Sequence, residues 1–272
     1  MSKQISVSAL IIAKNEARMI ENCIKSVQWC TEVIVIDDGS IDETREIAES
    51  LGAHVISFKH NSFSRLREEA LKRAKSDWVF YIDADERVTP TLAKEIQVMI
   101  ETSSASAFRI QRENIHFGES FTHGGWQDDW VERVFKKDML VGWSGQVHES
   151  ANYSGSVLDL KTKLIHFTHR DTVSGLIKTA SWTPMEAEAL YKSGISTVTI
   201  FTIFRKGFME FFRRAVLKQG YKDSAAGIIE ALIQGINKML VYIQVWELQQ
   251  KPSISEKYQV KETEIREIWK NQ

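Results

Sequence analysis

The chain has 272 residues, 43% of them hydrophobic and 26% charged, and its formal net charge is −1. This length can bury a substantial core, and the near-neutral charge argues against nucleic acid as a partner. The chain has two cysteines, Cys23 and Cys30, a number that argues against a disulfide scaffold and suits a reducing compartment. The first apolar run is too short for a signal peptide, and no apolar run reaches about 18 residues, so we expect a cytoplasmic protein without a spanning helix.

The first part of the chain alternates strand patterns with helix patterns. Residues 5–13, 32–36, 52–57 and 78–82 are the predicted strands, and the segments after them carry apolar residues at helical spacing. This order predicts an α/β fold with a parallel sheet, right-handed crossovers and helices on its faces.

Acidic residues follow two of these strands, at the carboxyl ends where open α/β sheets bind ligands. Asp83 and Asp85 lie two residues apart after the fourth strand, so both carboxylates could reach one divalent cation, Mg²⁺ or Mn²⁺. Asp37 and Asp38 follow the second strand. We interpret the two strand ends as adjacent, each binding one half of a nucleotide. An acidic turn without a ligand is the structural alternative.

The sequence contains neither Gly-x-Gly-x-x-Gly nor a Walker motif, so a bound phosphate would need a metal and basic side chains. Arg65, Arg67 and Lys72 lie on the helix before the fourth strand, and Arg67 is the one we assign to substrate binding. A solvated helix face is the alternative for each of them.

Three blocks of residues carry a resemblance to a known family. They are Ala13-Lys14-Asn15-Glu16, then Val35-Ile36-Asp37-Asp38-Gly39-Ser40 with Asp42 and Thr44, then Phe80-Tyr81-Ile82-Asp83-Ala84-Asp85-Glu86. In order and spacing they resemble the family 2 inverting glycosyltransferases of GT-A fold, and within that family the bacterial lipopolysaccharide core enzymes. The resemblance implies a Rossmann-like, mostly parallel sheet flanked by helices, with a C-terminal helical appendage in this chain.

The resemblance also implies roles for individual residues. Asp38 would contact the nucleotide base, the backbone of residues 12–14 would line the base pocket, and Asp83 and Asp85 would bind the diphosphate with its metal. The remaining donor-binding residues are Ala13, Asn15, Glu16 and Asp37.

Residues 106–170 combine short strand patterns with an aromatic and acidic segment. Trp126 beside acids suits a sugar pocket, because sugars offer apolar C–H faces and hydroxyl groups. Inverting transfer needs a general base for the acceptor hydroxyl. By resemblance Asp129 is the first candidate, with Arg133 in the substrate site four residues later. Asp128 stands where relatives often carry proline, which leaves the choice between the two acids open.

The second candidate for the base is Glu149, which follows His148 and also matches a family motif; His148 is assigned to substrate binding. A structural hydrogen-bonded pair of these two residues is the alternative. His166 and His169 could approach the metal or the phosphates, and structural histidines are the alternative there.

From about residue 171 the pattern changes to long helices. Residues 173–189 predict a helix that Pro184 bends or divides. Residues 200–215 repeat aromatic side chains at helical spacing beside basic ones, which is typical of a helix in a membrane interface. Packing on the catalytic domain and a homodimer contact are the alternatives.

Two further helices are predicted towards the C-terminus. Residues 225–248 form a long apolar pattern, in which Glu230 and Lys238 argue against a membrane span. Residues 251–272 are polar and predict a last, loosely attached helix.

The sequence thus predicts a catalytic domain over residues 1–170, with a nucleotide-sugar-binding half (1–105) and an acceptor and base half (106–170), and a helical region over 171–272. The expected reaction is metal-assisted inverting transfer from a UDP-sugar to a lipid-linked saccharide such as lipopolysaccharide core. The expected location is cytoplasmic, with peripheral contact to the cytoplasmic face of the inner membrane. Nucleotidyl transfer and a non-catalytic sugar-binding or membrane scaffold on the same fold are the alternatives.

Overall fold

The computed structural model describes residues 5–60, 62–145 and 149–270. The chain forms two compact units, Met1–Arg170 and Asp171–Gln272. The strands of the first unit are β1 (Val7–Ala13), β2 (Glu32–Asp37), β3 (His54–Ser57), β4 (Trp78–Asp83), β5 (Glu86–Arg87), β6 (Ala107–His116), β7 (Glu119–Ser120), β8 (Trp130–Lys136), β9 (Leu140–Ser144), β10 (Ser150–Tyr153), β11 (Val157–Asp159) and β12 (Leu164–Phe167). Its helices are α1 (Ile20–Ser26), α2 (Thr44–Ser50), α3 (Phe63–Arg73) and α4 (Pro90–Thr102).

One sheet organises this unit, with the strand order β3-β2-β1-β4-β8-β6-β12-β5. The first four strands in this order are parallel. Strand β8 is antiparallel to both β4 and β6, and β12 pairs in parallel with β6. The predicted α/β class, with a mostly parallel sheet flanked by helices, is confirmed.

Apolar side chains on both faces of the central strands bury the sheet between helices. Phe80 of β4 belongs to a cluster with Ile20 of α1, whereas Tyr81 belongs to a second cluster with Leu66 of α3. Successive side chains of a strand point to opposite faces. The uninterrupted apolar run of β4 therefore reflects a strand that is covered on both sides.

The two acidic strand ends are not adjacent, so that part of the sequence prediction is wrong. Strand β1 lies between β2 and β4, where Ala13 pairs with Asp37 and Ile12 pairs with Asp83. The chain extends the sheet from β1 through β2 to β3 and then adds β4 on the other side of β1. Such a reversal of strand order opens a crevice at the carboxyl ends, which is where these folds bind ligands.

Two further details differ from the sequence patterns. Strand β6 has 10 residues, whereas only short strands were predicted for this region. The short strand β5 could not be predicted, because its residues show no apolar pattern. It forms through antiparallel pairing with β12.

The second unit consists of helices. They are α5 (Thr172–Lys192), α6 (Ile200–Phe212), α7 (Ser224–Leu248) and α8 (Ile254–Lys270). Pro184 lies within α5 and does not divide it. Of the two predicted effects, a bend or a division, the division is wrong and the bend stays a prediction. Val198, Ile203 and Val241 belong to a small apolar core between the helices. Helix α8 contributes no buried residue, which agrees with the loose attachment expected from its sequence.

Among the described residues, α7 is the one helix whose length and composition would allow it to cross a membrane. The sequence prediction of no such helix rested on uninterrupted apolar runs, and α7 carries polar residues between its apolar ones.

Candidate active site

The loops that follow β1 and β2 are joined by hydrogen bonds. The backbone N–H of Asn15 donates to Ser40 Oγ at 2.9 Å, and the N–H of Ile41 donates to Asn15 Oδ1 at 2.8 Å. The N–H of Glu16 donates to Thr44 Oγ1 at 2.8 Å. Asn15 has a φ of 55°, a left-handed conformation that asparagine tolerates better than most residues. The two sequence blocks therefore form one edge of the crevice.

Asp37 and Asp38 have different partners in this edge. Asp37 is 1% exposed and accepts a hydrogen bond from the N–H of Ser40 at 3.1 Å, which closes its own turn. Asp38 accepts from Lys14 Nζ at 2.9 Å and from the N–H of His60 at 2.9 Å. Asp37 therefore stabilises its own turn. Asp38 is bound by Lys14 and by the backbone of His60, and a ligand could displace these partners or form a further hydrogen bond with the same carboxylate.

Asp83, at the end of β4, is surrounded by three arginines. Its carboxylate pairs with Arg133 Nη2, with Arg112 Nη2 at 3.1 Å and with Arg67 Nη2 at 3.4 Å. Burial alone would raise the pKa of Asp83, but the three guanidinium groups outweigh it and hold this pKa well below its usual range. Glu86 is fully buried and accepts from Arg112 Nε and Arg133 Nη2, each at 2.7 Å. The arginines thus bridge two carboxylates.

Arg67 links this cluster to Glu149. Its Nε donates to Glu149 Oε2 at 2.5 Å, and its guanidinium carbon lies 4.8 Å from the ring centroid of Trp143. The alternative of a solvated helix face is wrong for Arg67, whose side chain is 10% exposed. It holds for Arg65 and Lys72, whose side chains are 64% and 68% exposed.

A cleft of about 560 Å³ opens beside the arginine cluster. Guanidinium groups and indole rings together suit a ligand that carries phosphates and has apolar faces. The residues that line the cleft include Arg67, Asp83, Arg109, Arg112, Trp130, Arg133, Trp143 and Glu149.

Asp85 has a different environment from Asp83. Its Oδ2 lies 3.7 Å from His166 Nε2, which is too long for a hydrogen bond. His166 Nδ1 lies 2.6 Å from Asn114 Oδ1, and Asn114 Nδ2 donates to Asp129 Oδ2 at 3.0 Å. Because the amide N–H faces Asp129, the amide oxygen faces His166 and accepts from its Nδ1, which leaves Nε2 directed towards Asp85. The four side chains form a row from Asp85 to Asp129.

Asp129 lies immediately before β8. Arg112 Nη1 is 3.7 Å from Asp129 Oδ2, the oxygen that also accepts from Asn114. Its neighbour Asp128 is exposed. The ring of Trp126 packs at a centroid distance of 4.4 Å against His116. Of the two neighbouring acids, Asp129 is therefore the one that joins the row of polar side chains.

The structure brings most of the predicted residues to the same end of the sheet. Arg67, Asp83, Asp85, Asp129, Arg133 and Glu149 lie in the connected polar network, and Ala13, Asn15, Glu16, Asp37 and Asp38 lie at the edge formed by the first two loops. His148 lies outside the described residues, so its predicted role and its pairing with Glu149 stay predictions. The ring of His169 lies 5.2 Å from that of His116.

Two members of the network, Arg112 and Asn114, were missed by the sequence interpretation. Both lie on β6, where alternate residues point to the same face. Ile110, at 0% exposure, marks that face as buried, and Asn114 is also 0% exposed. Polar residues that alternate with a buried apolar one on a strand are the signal that could have identified them.

The chain is similar in sequence to known glycosyltransferases. The model of the family described as glycosyl transferase family 2 matches residues 8–153, more than half of the chain. The lipopolysaccharide core biosynthesis glycosyltransferase LpsC of Rhizobium meliloti (strain 1021) is 24% identical over 268 residues, which cover 94% of this chain and 98% of that protein. An uncharacterized glycosyltransferase of Rickettsia bellii (strain RML369-C) is 40% identical over 103 residues, covering 38% of this chain and 35% of that protein.

Solved structures also resemble the chain. The glucosyl-3-phosphoglycerate synthase of Mycobacterium tuberculosis, in complex with Mn²⁺, uridine diphosphate and glucosyl-3-phosphoglycerate, has a TM-score of 0.47 and 16% sequence identity. The match covers 71% of this chain and 81% of that chain.

Proposed function

The chain belongs to glycosyl transferase family 2, and from this premise we propose that it transfers a sugar from a UDP-sugar to a saccharide carried on a lipid, with inversion at the anomeric carbon. The observation that carries the proposal is the cluster of Arg67, Arg112 and Arg133 around Asp83, beside the cleft. Guanidinium groups that bind a carboxylate bind diphosphate oxygens with the same geometry. The name of the Rhizobium relative supports an acceptor of the lipopolysaccharide type.

The nucleoside half of the donor is assigned to the edge formed by the loops after β1 and β2. Asp38 would accept a hydrogen bond from the base or from a ribose hydroxyl, because its carboxylate already accepts from N–H donors there. Asn15 and Glu16 would act through the loop, since their contacts hold the backbone beside Ala13 in place. This division leaves the arginine-lined cleft for the diphosphate and the sugar.

The residues at Asp85 fit a divalent cation. A carboxylate oxygen and an imidazole nitrogen face each other at 3.7 Å, and the hydrogen bond that His166 Nδ1 donates to Asn114 Oδ1 fixes the imidazole with Nε2 towards Asp85. A mixed oxygen and nitrogen donor set favours Mn²⁺ over Mg²⁺, which prefers oxygen ligands alone. Asp83 is paired with arginines, so we propose Asp85 and His166 as the protein ligands. When bound, the ion would act as a Lewis acid towards the diphosphate.

The acceptor half of the reaction is assigned to the other end of the row. Asp129 would take the proton of the acceptor hydroxyl as that oxygen attacks the anomeric carbon. Trp126, three residues before it, would offer an apolar surface to the sugar. A UDP-sugar is water-soluble and the proposed acceptor is lipid-linked, so we place the reaction at the cytoplasmic face of the inner membrane.

A thermal-shift panel of nucleotide sugars, with and without Mn²⁺, tests this proposal. A ligand present at a hundred times its Kd stabilises the native state by about 2.7 kcal/mol, which raises the unfolding temperature of a chain of this size by roughly 5 to 10 °C. We expect UDP-sugars to give this shift only when Mn²⁺ is present. Equal shifts with nucleoside triphosphates, or none with any nucleotide sugar, would contradict the proposal.

Replacing Asn114 with alanine is expected to lower the affinity of the UDP complex for Mn²⁺ by roughly tenfold, because His166 loses the partner that orients it. Electron paramagnetic resonance of free Mn²⁺ measures this affinity without any turnover. Gln111→Ala is the matched control, since Gln111 lies on the same strand and donates to the carbonyl of Gln127 instead. Unchanged Mn²⁺ affinity in a folded Asn114→Ala protein would remove His166 from the site.

A further inference from the structure

Helix α6 exposes a row of phenylalanines. Phe201, Phe204, Phe208 and Phe212 are 72%, 59%, 63% and 42% exposed. At about 100° per residue, these positions fall within one stripe along the helix. A soluble monomer rarely leaves a large contiguous apolar surface without a partner.

Helix α7 extends this surface. The two helices approach closely where a Cβ atom on Gly207 would lie 2.9 Å from the carbonyl oxygen of Gly235. They run antiparallel, because Phe211 lies beside Gly235 whereas Lys206 lies 5.5 Å from the ring of Tyr242. The contact points fix which sides of the two helices face each other.

The exposed side chains of both helices lie on the same side of the pair. Phe204 and Phe208 lie about 60° and 100° from Gly207 around α6, and Leu232 and Ile236 lie at the same angles from Gly235 around α7. In two antiparallel right-handed helices, equal angles from the contact line point to the same side. Leu232 and Ile236 are 51% and 43% exposed, so the two stripes form one continuous apolar face.

The opposite side of α7 is polar and packed against α5. Lys238 Nζ pairs with Glu186 Oε1 at 2.7 Å, and Thr179 Oγ1 lies 3.1 Å from Asn237 Oδ1. Glu230 is 1% exposed on this helix. A membrane-spanning α7 would carry these polar groups into the hydrocarbon, at a cost of several kcal/mol for each charge. The two-sided character of α7 suits a helix that lies at an interface.

The basic charge beside this apolar face favours an anionic bilayer over a second copy of the chain as its partner. Residues 200–222 contain six lysines and arginines and one glutamate. Two copies of the chain that met through α6 would bring two such basic segments together. An anionic bilayer would instead attract them, with its acyl boundary covering the phenylalanines.

We propose that the face formed by Phe201, Phe204, Phe208, Leu232 and Ile236 docks the protein on an anionic phospholipid bilayer as a peripheral membrane protein. Vesicle binding requires no donor or acceptor, so its failure and the failure of the sugar-transfer proposal are distinguishable.

Co-sedimentation of the full chain with vesicles tests the proposal. Vesicles that contain phosphatidylglycerol are expected to bind the protein at least about tenfold more tightly than phosphatidylcholine vesicles, and added salt is expected to weaken the binding. Phe204→Asp on α6 and Leu232→Asp on α7 are each expected to weaken it by about tenfold or more. Val98→Asp, an exposed apolar position on α4, is the matched control and should leave binding unchanged.

The variants replace exposed side chains, so they should keep the wild-type unfolding temperature and the UDP-dependent thermal shift. Absence of vesicle binding would overturn the proposal, as would binding that Phe204→Asp does not weaken. Sedimentation velocity tests the competing possibility, in which the face binds a second copy of the chain. A dimer that Phe204→Asp dissociates, without binding to vesicles, would assign the face to a second copy of the chain.

Discussion

Replacing Asp85 with alanine is expected to lower the rate of sugar transfer at least about a thousandfold while leaving the fold intact. The Asp85 carboxylate faces His166 Nε2 at 3.7 Å, and the backbone oxygen of Asp85 accepts from the N–H of Phe167 at 2.8 Å, a bond that alanine retains. The variant therefore loses a proposed metal ligand and no hydrogen bond of the backbone. A thousandfold corresponds to about 4 kcal/mol of transition-state stabilisation, within the range that a Lewis acid supplies.

Asp83→Ala provides the contrast that makes this experiment informative. Removing the Asp83 carboxylate leaves Arg67, Arg112 and Arg133 with fewer counter-charges in a buried site, which destabilises the native state. We expect Asp83→Ala to lower the unfolding temperature by roughly 5 °C or more. Asp85→Ala should lower that temperature by less than Asp83→Ala does, and it should abolish the Mn²⁺-dependent part of the thermal shift.

Release of UDP from the UDP-sugar, with and without Mn²⁺, measures the rate in each variant. Asp138→Asn is the matched control, because the Asp138 side chain is 66% exposed and its ion pair with Lys136 is 3.8 Å long. Normal turnover by a well-folded Asp85→Ala protein would contradict the proposed metal role.

The difference between Asp83 and Asp85 could not be predicted from the sequence, where the two residues look equivalent. Their environments come from distant parts of the chain. Arg133 lies 50 residues from Asp83, on β8, which the sheet places next to β4, and Arg112 lies 29 residues from Asp83, on β6, which follows β8 in the sheet. The insertion of the antiparallel β8 between β4 and β6 creates the arginine cluster, and no local pattern indicates which strands will pair.

The parallel part of the sheet was predictable because its strands are continuous apolar runs and its helices repeat at helical spacing. Strand order was not, so the separation of Asp37 from Asp83 by β1 emerged only from the structure. Arg67 was assigned to substrate binding, but its burial could not be predicted, because a charged residue on a charged helix gives the same pattern whether it is solvated or buried. Its burial depends on Glu149, which lies 82 residues away in sequence.

Replacing Asp129 with asparagine is expected to preserve donor binding and to lower the turnover number for transfer by about 10²- to 10⁴-fold, the usual contribution of a general base. Asparagine keeps the size of the side chain and an oxygen that can accept from Asn114 Nδ2. It cannot take a proton from the acceptor hydroxyl. The measurements are the Mn²⁺-dependent thermal shift with the UDP-sugar and transfer to truncated lipopolysaccharide core, with KM and turnover determined separately.

Glu149→Gln separates the two candidates for the base. Glu149 accepts from Arg67 Nε at 2.5 Å, so its oxygens are committed to a guanidinium group that also pairs with Asp83. We expect Glu149→Gln to disturb Arg67 and to raise the KM for the donor more than it lowers turnover. Asp128→Asn, at the exposed neighbouring acid, is the matched control and should retain both constants. If Asp129→Asn transfers sugar normally and Glu149→Gln loses turnover at unchanged donor KM, the proton passes to Glu149, and the row from Asp85 through Asn114 serves the metal alone.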